Sequence, residues 1–290
     1  MEESKGIGRE QAEHPVQERH HPTRRTLVIG HRGAPRRAPE NTLASFAAAL
    51  DLGVDGVEFD VHLSRDGIPV VIHDPTLERT TNGHGLVSDL TLAELRSLDA
   101  GAGERIPTLR EVVDLVRGNV ELQVEIKGTT PGMVAATVAV LRESGMLDAT
   151  LVTSFHHALV REVREVEAFL RAARARARAK ARTVREAEAH LRTGILISRG
   201  QLPEHAAARL QEAVNLALAA RADYIDPHFT TLSPELIAYA HARGLLVATW
   251  TVDDPEEAQR LAAAGVDRLT TNVPDLVLAV LRSQTSGAER

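Results

Sequence analysis

The sequence predicts an α/β chain closed into a TIM (β/α)8 barrel, and three observations carry that expectation. Short β-branched runs alternate with longer amphipathic stretches from Thr26 onward. The runs amount to about eight core strands with helices between them. Several helical stretches end on glycine, as at 242–244 and 263–265, and several begin at Thr, Ser or Asp with proline next, as in SPEL and DPEE. Sustained strand–helix alternation implies a parallel sheet, and eight units can close it, with the C-terminal strand ends at one functional face. An open doubly wound sheet is the competing architecture.

In chain order, TLVIGH is followed by the helical NTLASFAAALDLG, and GVEFDVHL and IPVVIH by TLAELRSL and TLREVVDLV. ELQVEIKG precedes MVAATVAVLRESG, TLVTSF precedes HHALVREVREVEAFL, and TGILIS precedes PEHAAARLQEAVNLALAA. YIDPHF leads to SPELIAYAHARG, LLVATWTV to DPEEAQRLAAAG, and RLTTNV to PDLVLAVLRS. The domain expected from this rhythm runs over 26–284, with 285–290 as a short tail. Residues 1–25 are polar and without periodicity, so they read as a disordered tail, and His20 and His21 within it as solvated.

Two segments break the rhythm. Residues 74–107 form a turn-rich insertion after the second strand region, long enough to make a lid or small subdomain near the active face. Residues 171–192, RAARARARAKARTVREAEAHLR, are an Ala/Arg-rich piece whose two main residues both favour helix, so an exposed helical extension is expected. An arm for nucleic acid or an acidic partner is the other reading, but no aromatics are interleaved for base stacking.

Composition narrows the function classes. The chain is 43% hydrophobic with only 3% aromatic residues, so its core must be built from Ala, Val, Leu and Ile. A formal charge of -6 argues against a general polyanion binder, and no nucleic-acid partner is expected. The absence of cysteine excludes disulfides, thiolate metal sites and a cysteine nucleophile. No window approaches a membrane span, and residues 1–25 lack the apolar core of a signal peptide. Together these features suit a cytoplasmic protein.

The chemistry concentrates at strand ends. If TLVI is the first barrel strand, His31 and Arg32 lie at its C-terminal end, where barrel enzymes hold their catalytic groups. In GVEFDVH, Glu58 and Asp60 are two residues apart and share one face, which in a barrel is the interior. ELQVEIKG supplies Glu125 and Lys127 at the same spacing, IPVVIHD ends with His73, and Trp250 sits near the end of LLVATWTV.

Glu58, Asp60 and Glu125, brought side by side, would repel one another and call for a cation; an all-oxygen set selects one hard divalent ion, Mg²⁺ or Ca²⁺. Three carboxylates, a divalent cation, Arg32 and Lys127 sum to one net positive charge, which a phosphodiester monoanion balances. Arg offers a planar fork to phosphate oxygens, Lys a mobile point charge, and the histidines titrate in the range for proton transfer near neutrality. Taken singly, each residue also has a structural reading, a buried ion pair or a hydrogen-bonded histidine; together, unpaired burial of six ionisable groups would be too costly to be incidental. His62 shares the face of Glu58 and Asp60, and a hydrogen-bonding role is expected for it. His84, His156, His157 and His228 fall in loops or near strand ends. No P-loop, GxGxxG or HExxH pattern is present.

The motifs GHRG, PENT, GVEFDVHLSRDGIPVVIHD, ERTTNGHG, VEIKG, TSF and WTV occur in that order, and on them the chain resembles the glycerophosphodiester phosphodiesterase family from about Leu27 to Leu281. The resemblance implies a TIM barrel with a small insertion, a divalent cation, and hydrolysis of a small-molecule glycerophosphodiester to glycerol 3-phosphate and an alcohol. It makes His31 and His73 the acid/base pair, Arg32 and Lys127 phosphate contacts, and Glu58, Asp60 and Glu125 the metal ligands. Glu40 and Asn41 of PENT are expected to orient those groups, and Phe155 and Trp250 to wall the glycerol and leaving-group side. Two departures stand out: the Ala/Arg-rich lengthening after SFHH, and RLTTNVPD, where many relatives carry an aspartate before the proline segment. A same-fold phosphodiesterase acting on lysophospholipids and a non-catalytic binding protein are the alternatives.

Overall fold

The computed structural model describes residues 25–181 and 190–287. Eight parallel strands close on themselves: β1 (Leu27–His31), β2 (Gly56–Leu63), β4 (Glu121–Ile126), β5 (Thr150–Ser154), β6 (Arg192–Ile197), β7 (Tyr224–Pro227), β8 (Leu246–Thr249) and β9 (Arg268–Thr271). Each pairs with the next, and β1 pairs with both β9 and β2, which completes the TIM barrel and rules out the open sheet. The ninth run behaves differently. β3 (Pro69–Val71) lies antiparallel to β2, outside the barrel wall.

The helices follow their sequence signals. α1 (Leu43–Leu52) starts where the Thr42 side chain accepts from the Ser45 amide and stops at Gly53 in the left-handed region. Short α2 (Leu92–Leu95) and α3 (Leu109–Val116) each open on a capping box, Thr91 with Glu94 and Thr108 with Glu111. α4 (Met133–Glu143), α5 (His157–Ala181) and α6 (Ala206–Ala220) cover the middle strands. α7 (Pro234–His241) and α8 (Pro255–Ala263) begin with proline behind the caps Ser233 and Asp254, and α9 (Pro274–Gly287) closes the ring.

All eight residues of β2 are buried, as a parallel strand covered on both faces should be. Phe59 packs outward, edge to face on Phe46 of α1 with ring centres 5.6 Å apart, which leaves Glu58 and Asp60 for the interior. The main core is the aliphatic layer between strands and helices. The excursion after β3 has a smaller core of its own, built on Val70, Ile72, Leu77, Val87, Leu95, Ala100 and Ile106.

Some boundaries differ from the sequence reading. α5 is 25 residues, about 37 Å at 1.5 Å per residue, so it runs from the mouth past the opposite end of the barrel. The expected extension over 171–192 is helical as far as Ala181, but Leu191 is fully buried and Arg192 already begins β6, because the chain must re-enter the sheet there; 182–189 lie outside the described residues. At the C-terminus α9 continues through Gly287, so 285–287 are helix rather than tail, while 288–290 lie outside. Of the expected N-terminal tail only Arg25 is described, and it pairs with Asp55 at 2.5 Å.

The turn from β1 into α1 positions the first functional residues. Gly33 has φ +91°, and a Cβ there would lie 2.5 Å from Ser45 Oγ and 2.6 Å from the Ser45 carbonyl carbon. Only glycine satisfies both constraints. Gly33→Ala is therefore expected to cost roughly 2 kcal/mol or more, read as a lowered midpoint in urea unfolding, since strain and overpacking add; an unchanged midpoint would show that this turn does not constrain the strand end.

Candidate active site

Strand register builds the site. Across β1 and β2, His31 stands opposite Glu58; across β2 and β4, Asp60 stands opposite Glu125. Inward-facing residues at matched heights on neighbouring parallel strands must meet, and Glu58, Asp60 and Glu125 each place a carboxylate oxygen within 4.8 Å of the other two. Two such charges repel by roughly 3 kcal/mol at that distance and an effective dielectric of 20.

The protein answers with cations and with protons. Lys127 Nζ is 2.7 Å from Glu125 Oε1 and 3.2 Å from Asp60 Oδ1, and Arg32 Nε is 3.3 Å from Asp60 Oδ2. Burial alone would raise the Asp60 carboxyl, but Lys127 and Arg32 overcome it and hold it at about 2. Glu58 goes the other way: burial, then the charges of Asp60 and Glu125, push it well above the usual carboxylate range. Burial and Asp60 likewise raise Glu125 to about 7.

A cluster that retains protons although two basic side chains are present has room for more positive charge. Asp60 Oδ1 is buried with the Lys127 ammonium at 3.2 Å but makes no well-aligned hydrogen bond. The donor set, three buried carboxylates and no sulfur or nitrogen, fits a hard divalent cation.

The two imidazoles reach the same cavity by different routes. His31 ends β1, its Nδ1 2.7 Å from Asn272 Oδ1 and its Nε2 3.8 Å from Glu58 Oε2. Burial and the neighbouring Arg32 lower its pKa to about 4. His73 does not lie at the end of a barrel strand. The β2–β3 hairpin rises beyond the mouth and turns back, with the Ile72 amide donating to the Asp60 carbonyl at 3.0 Å, so antiparallel pairing returns His73 beside the acidic cluster.

His73 Nδ1 then meets Asp74 Oδ1 at 2.5 Å. Asp74 is held by Arg79 Nε at 2.6 Å, Arg79 forks onto both oxygens of Glu40, and Arg32 reaches Glu40 Oε1 at 2.7 Å. Burial lowers the pKa of His73 as well, though the Asp60 charge works against it.

Glu40 and Asn41 therefore hold other site residues. Asn41, itself at φ +59°, donates Nδ2–H to Asp60 Oδ2 at 2.9 Å. Arg32 is also left-handed, at φ +53°, which turns its amide onto Glu58 Oε2 at 3.2 Å. Phe155 and Trp250 pack edge to face with centres 5.4 Å apart and line the cavity, which is about 110 Å³, together with His31, Arg32, His73, Glu125 and Lys127. His62 Nε2–H donates to the His73 carbonyl, 3.0 Å away, and is not among the clustered ligands. His228 stands against Trp250 at 5.1 Å, while His84 is exposed.

Sequence reasoning assigned no role to Asp74, Arg79, Asp253 and Asn272, nor to Asp226, which lies fully buried below the cavity with Gln123 Nε2 donating to it at 3.1 Å. Asp74 and Arg79 stood inside motifs already noted, HD and ERTTNGHG. A carboxylate within YIDPHF was the available signal for Asp226.

A model of the glycerophosphoryl diester phosphodiesterase family matches residues 31–276. A glycerophosphodiester phosphodiesterase of Caldanaerobacter subterraneus subsp. tengcongensis is 36% identical over 269 residues, covering 89% of this chain and 98% of its own. The crystal structure of a glycerophosphodiester phosphodiesterase from Agrobacterium tumefaciens superposes with a TM-score of 0.68 at 28% identity, over 88% of this chain and 99% of that one. A phosphodiesterase of Oleispira antarctica, solved in complex with the product sn-glycerol-3-phosphate, gives a TM-score of 0.70 at 29% identity, over 89% and 97%.

The elevated carboxyls would make the binding of a cation here pH-dependent. A ligand carboxyl must lose its proton to coordinate, so affinity for Mg²⁺ or Ca²⁺ should rise as pH increases through about 7, where Glu125 gives up its proton. Isothermal titration calorimetry in buffers of different ionisation enthalpy should show net proton release below that pH. Glu125→Gln should weaken binding and reduce the proton release. Affinity independent of pH between 5 and 8, on the order of the whole titration range, would contradict the shared ligand set.

Proposed function

The chain belongs to the glycerophosphoryl diester phosphodiesterase family, whose members are phosphoric diester hydrolases, and from that premise we propose that it converts glycerophosphodiesters to glycerol 3-phosphate and an alcohol, with His31 and His73 as its acid/base pair. One observation carries the reading. Both imidazoles line the same cavity as Arg32, Lys127 and the buried carboxylates, so proton-transfer groups, phosphate-binding cations and a cation site face one volume. The glycerol 3-phosphate held by the Oleispira antarctica relative supports the same product here.

A divalent cation held by Glu58, Asp60 and Glu125 would supply Lewis-acid polarisation of the phosphate and of the glycerol 2-hydroxyl. Arg32 and Lys127 hold the phosphoryl oxygens as charge redistributes; Glu40, accepting from Arg32, and Asn41, donating to Asp60, keep the surrounding groups in place. One imidazole takes the proton of the 2-hydroxyl as it attacks phosphorus, and the other protonates the departing alkoxide. Water then opens the cyclic phosphate with the two roles exchanged. Phe155 and Trp250 exclude water from the side on which the glycerol and leaving group lie.

Released glycerol 3-phosphate, measured with a panel of glycerophosphodiesters with and without chelator, tests the proposal. Glycerophosphocholine should be cleaved in preference to lysophosphatidylcholine, and chelation should stop turnover. His31→Ala and His73→Ala should each lower kcat roughly 10²-fold or more with little change in thermal unfolding. Near-normal turnover in either variant would remove that residue from the mechanism.

A further inference from the structure

We propose that Asp253 and Asn272 are positioning residues that set the tautomer of His31. The proposal rests on the role given to His31 above and concerns a departure that the family resemblance left without a role. Asn272 directly follows β9, whose Thr271 is paired with Gly30 of β1, so it stands beside His31 at the barrel mouth. Asp253 follows β8 in the loop beyond Trp250, held there by the Val252 amide donating to the Thr270 carbonyl at 2.9 Å.

Donor and acceptor capacities determine every proton in the chain of contacts. The Asn272 backbone amide donates to Asp253 Oδ1 at 2.8 Å, and its side-chain Nδ2 donates to Asp253 Oδ2 at 2.8 Å. Thr271 Oγ1 adds a third bond to Oδ1 at 3.2 Å. An ionised carboxylate only accepts, so the amide nitrogen of Asn272 must face Asp253 and its oxygen must face His31. That oxygen, 2.7 Å from His31 Nδ1, also only accepts. Nδ1 therefore carries the proton, and the neutral ring presents the lone pair of Nε2 on its other edge, the edge that lies 3.8 Å from Glu58 Oε2.

With the opposite tautomer the nitrogen facing the cavity would carry its own hydrogen and could not accept one. His73 receives the same service from Asp74, a carboxylate in direct contact; His31 receives it from a neutral amide, with the carboxylate one step removed.

The test is the protonation pattern of the full chain labelled with ¹⁵N-histidine, read from two-bond ¹H–¹⁵N correlations with and without magnesium, together with steady-state kinetics on glycerophosphocholine. His31 in the unmodified chain should show Nδ1–H with unprotonated Nε2. Asp253→Asn keeps the shape but frees the Asn272 amide to turn over, so Nε2–H should appear and kcat should fall roughly 10-fold or more, KM changing by no more than about 2-fold. Nε2–H in the unmodified chain overturns the proposal, as does a folded Asp253→Asn protein with unaltered tautomer and kcat. The first of these needs no variant to fold. Since the tautomer is read without turnover, absence of diester hydrolysis would count separately, against the functional reading.

Discussion

Mutual repulsion among three carboxylates clustered inside the barrel is the constraint around which the site is organised. Strand register sets it: Asp60 of β2 stands opposite Glu125 of β4, Glu58 lies two residues earlier on the same inner face of β2, and His31 of β1 stands opposite Glu58. Burial removes the water that would screen them. The cluster is stable only with compensating charge, and Lys127, Arg32 and retained protons on the glutamates supply part of it. The same arrangement that costs stability gives the donor set its fit to a divalent cation. That is how a structural liability becomes a chemical resource.

The excursion after β3 is tied to this centre by charge rather than by apolar contact alone. It has a small core of its own, and from it Arg79 extends to Glu40 in the β1–α1 turn and to Asp74 beside His73. Glu40 in turn holds Arg32. One guanidinium thus links the orientation of the His73 imidazole to that of Arg32, through two carboxylates on different parts of the chain. The turn-rich insertion of the sequence is, at this edge, part of the scaffold of the site.

The long basic helix is separated from all of this by geometry. α5 leaves the mouth at His157 and carries its Ala/Arg-rich end to the opposite face of the barrel, where β6 begins. In direction, a barrel helix runs antiparallel to its strands, so every residue that lengthens α5 moves away from the cavity.

Local pattern determined a great deal about this protein. Period-2 spacing placed Glu58 with Asp60 and Glu125 with Lys127 on shared strand faces, caps and prolines marked where helices begin, and alternation of the two periods implied the barrel. Those are properties of neighbours in the chain, and neighbours obey the same geometry in every fold. Tertiary structure alone decided which of nine strand-like runs left the wall, which residues stood at equal height, and which partners held the imidazoles. β3 turns antiparallel because a short hairpin follows β2, and this brings His73 to the mouth from above. His31 finds Asn272 across 241 positions of sequence, because the last strand closes against the first. Closure is a property of the whole sheet, set by the sum of many pairings and by the packing of the helix ring, so no single segment carries the information about what it will meet there.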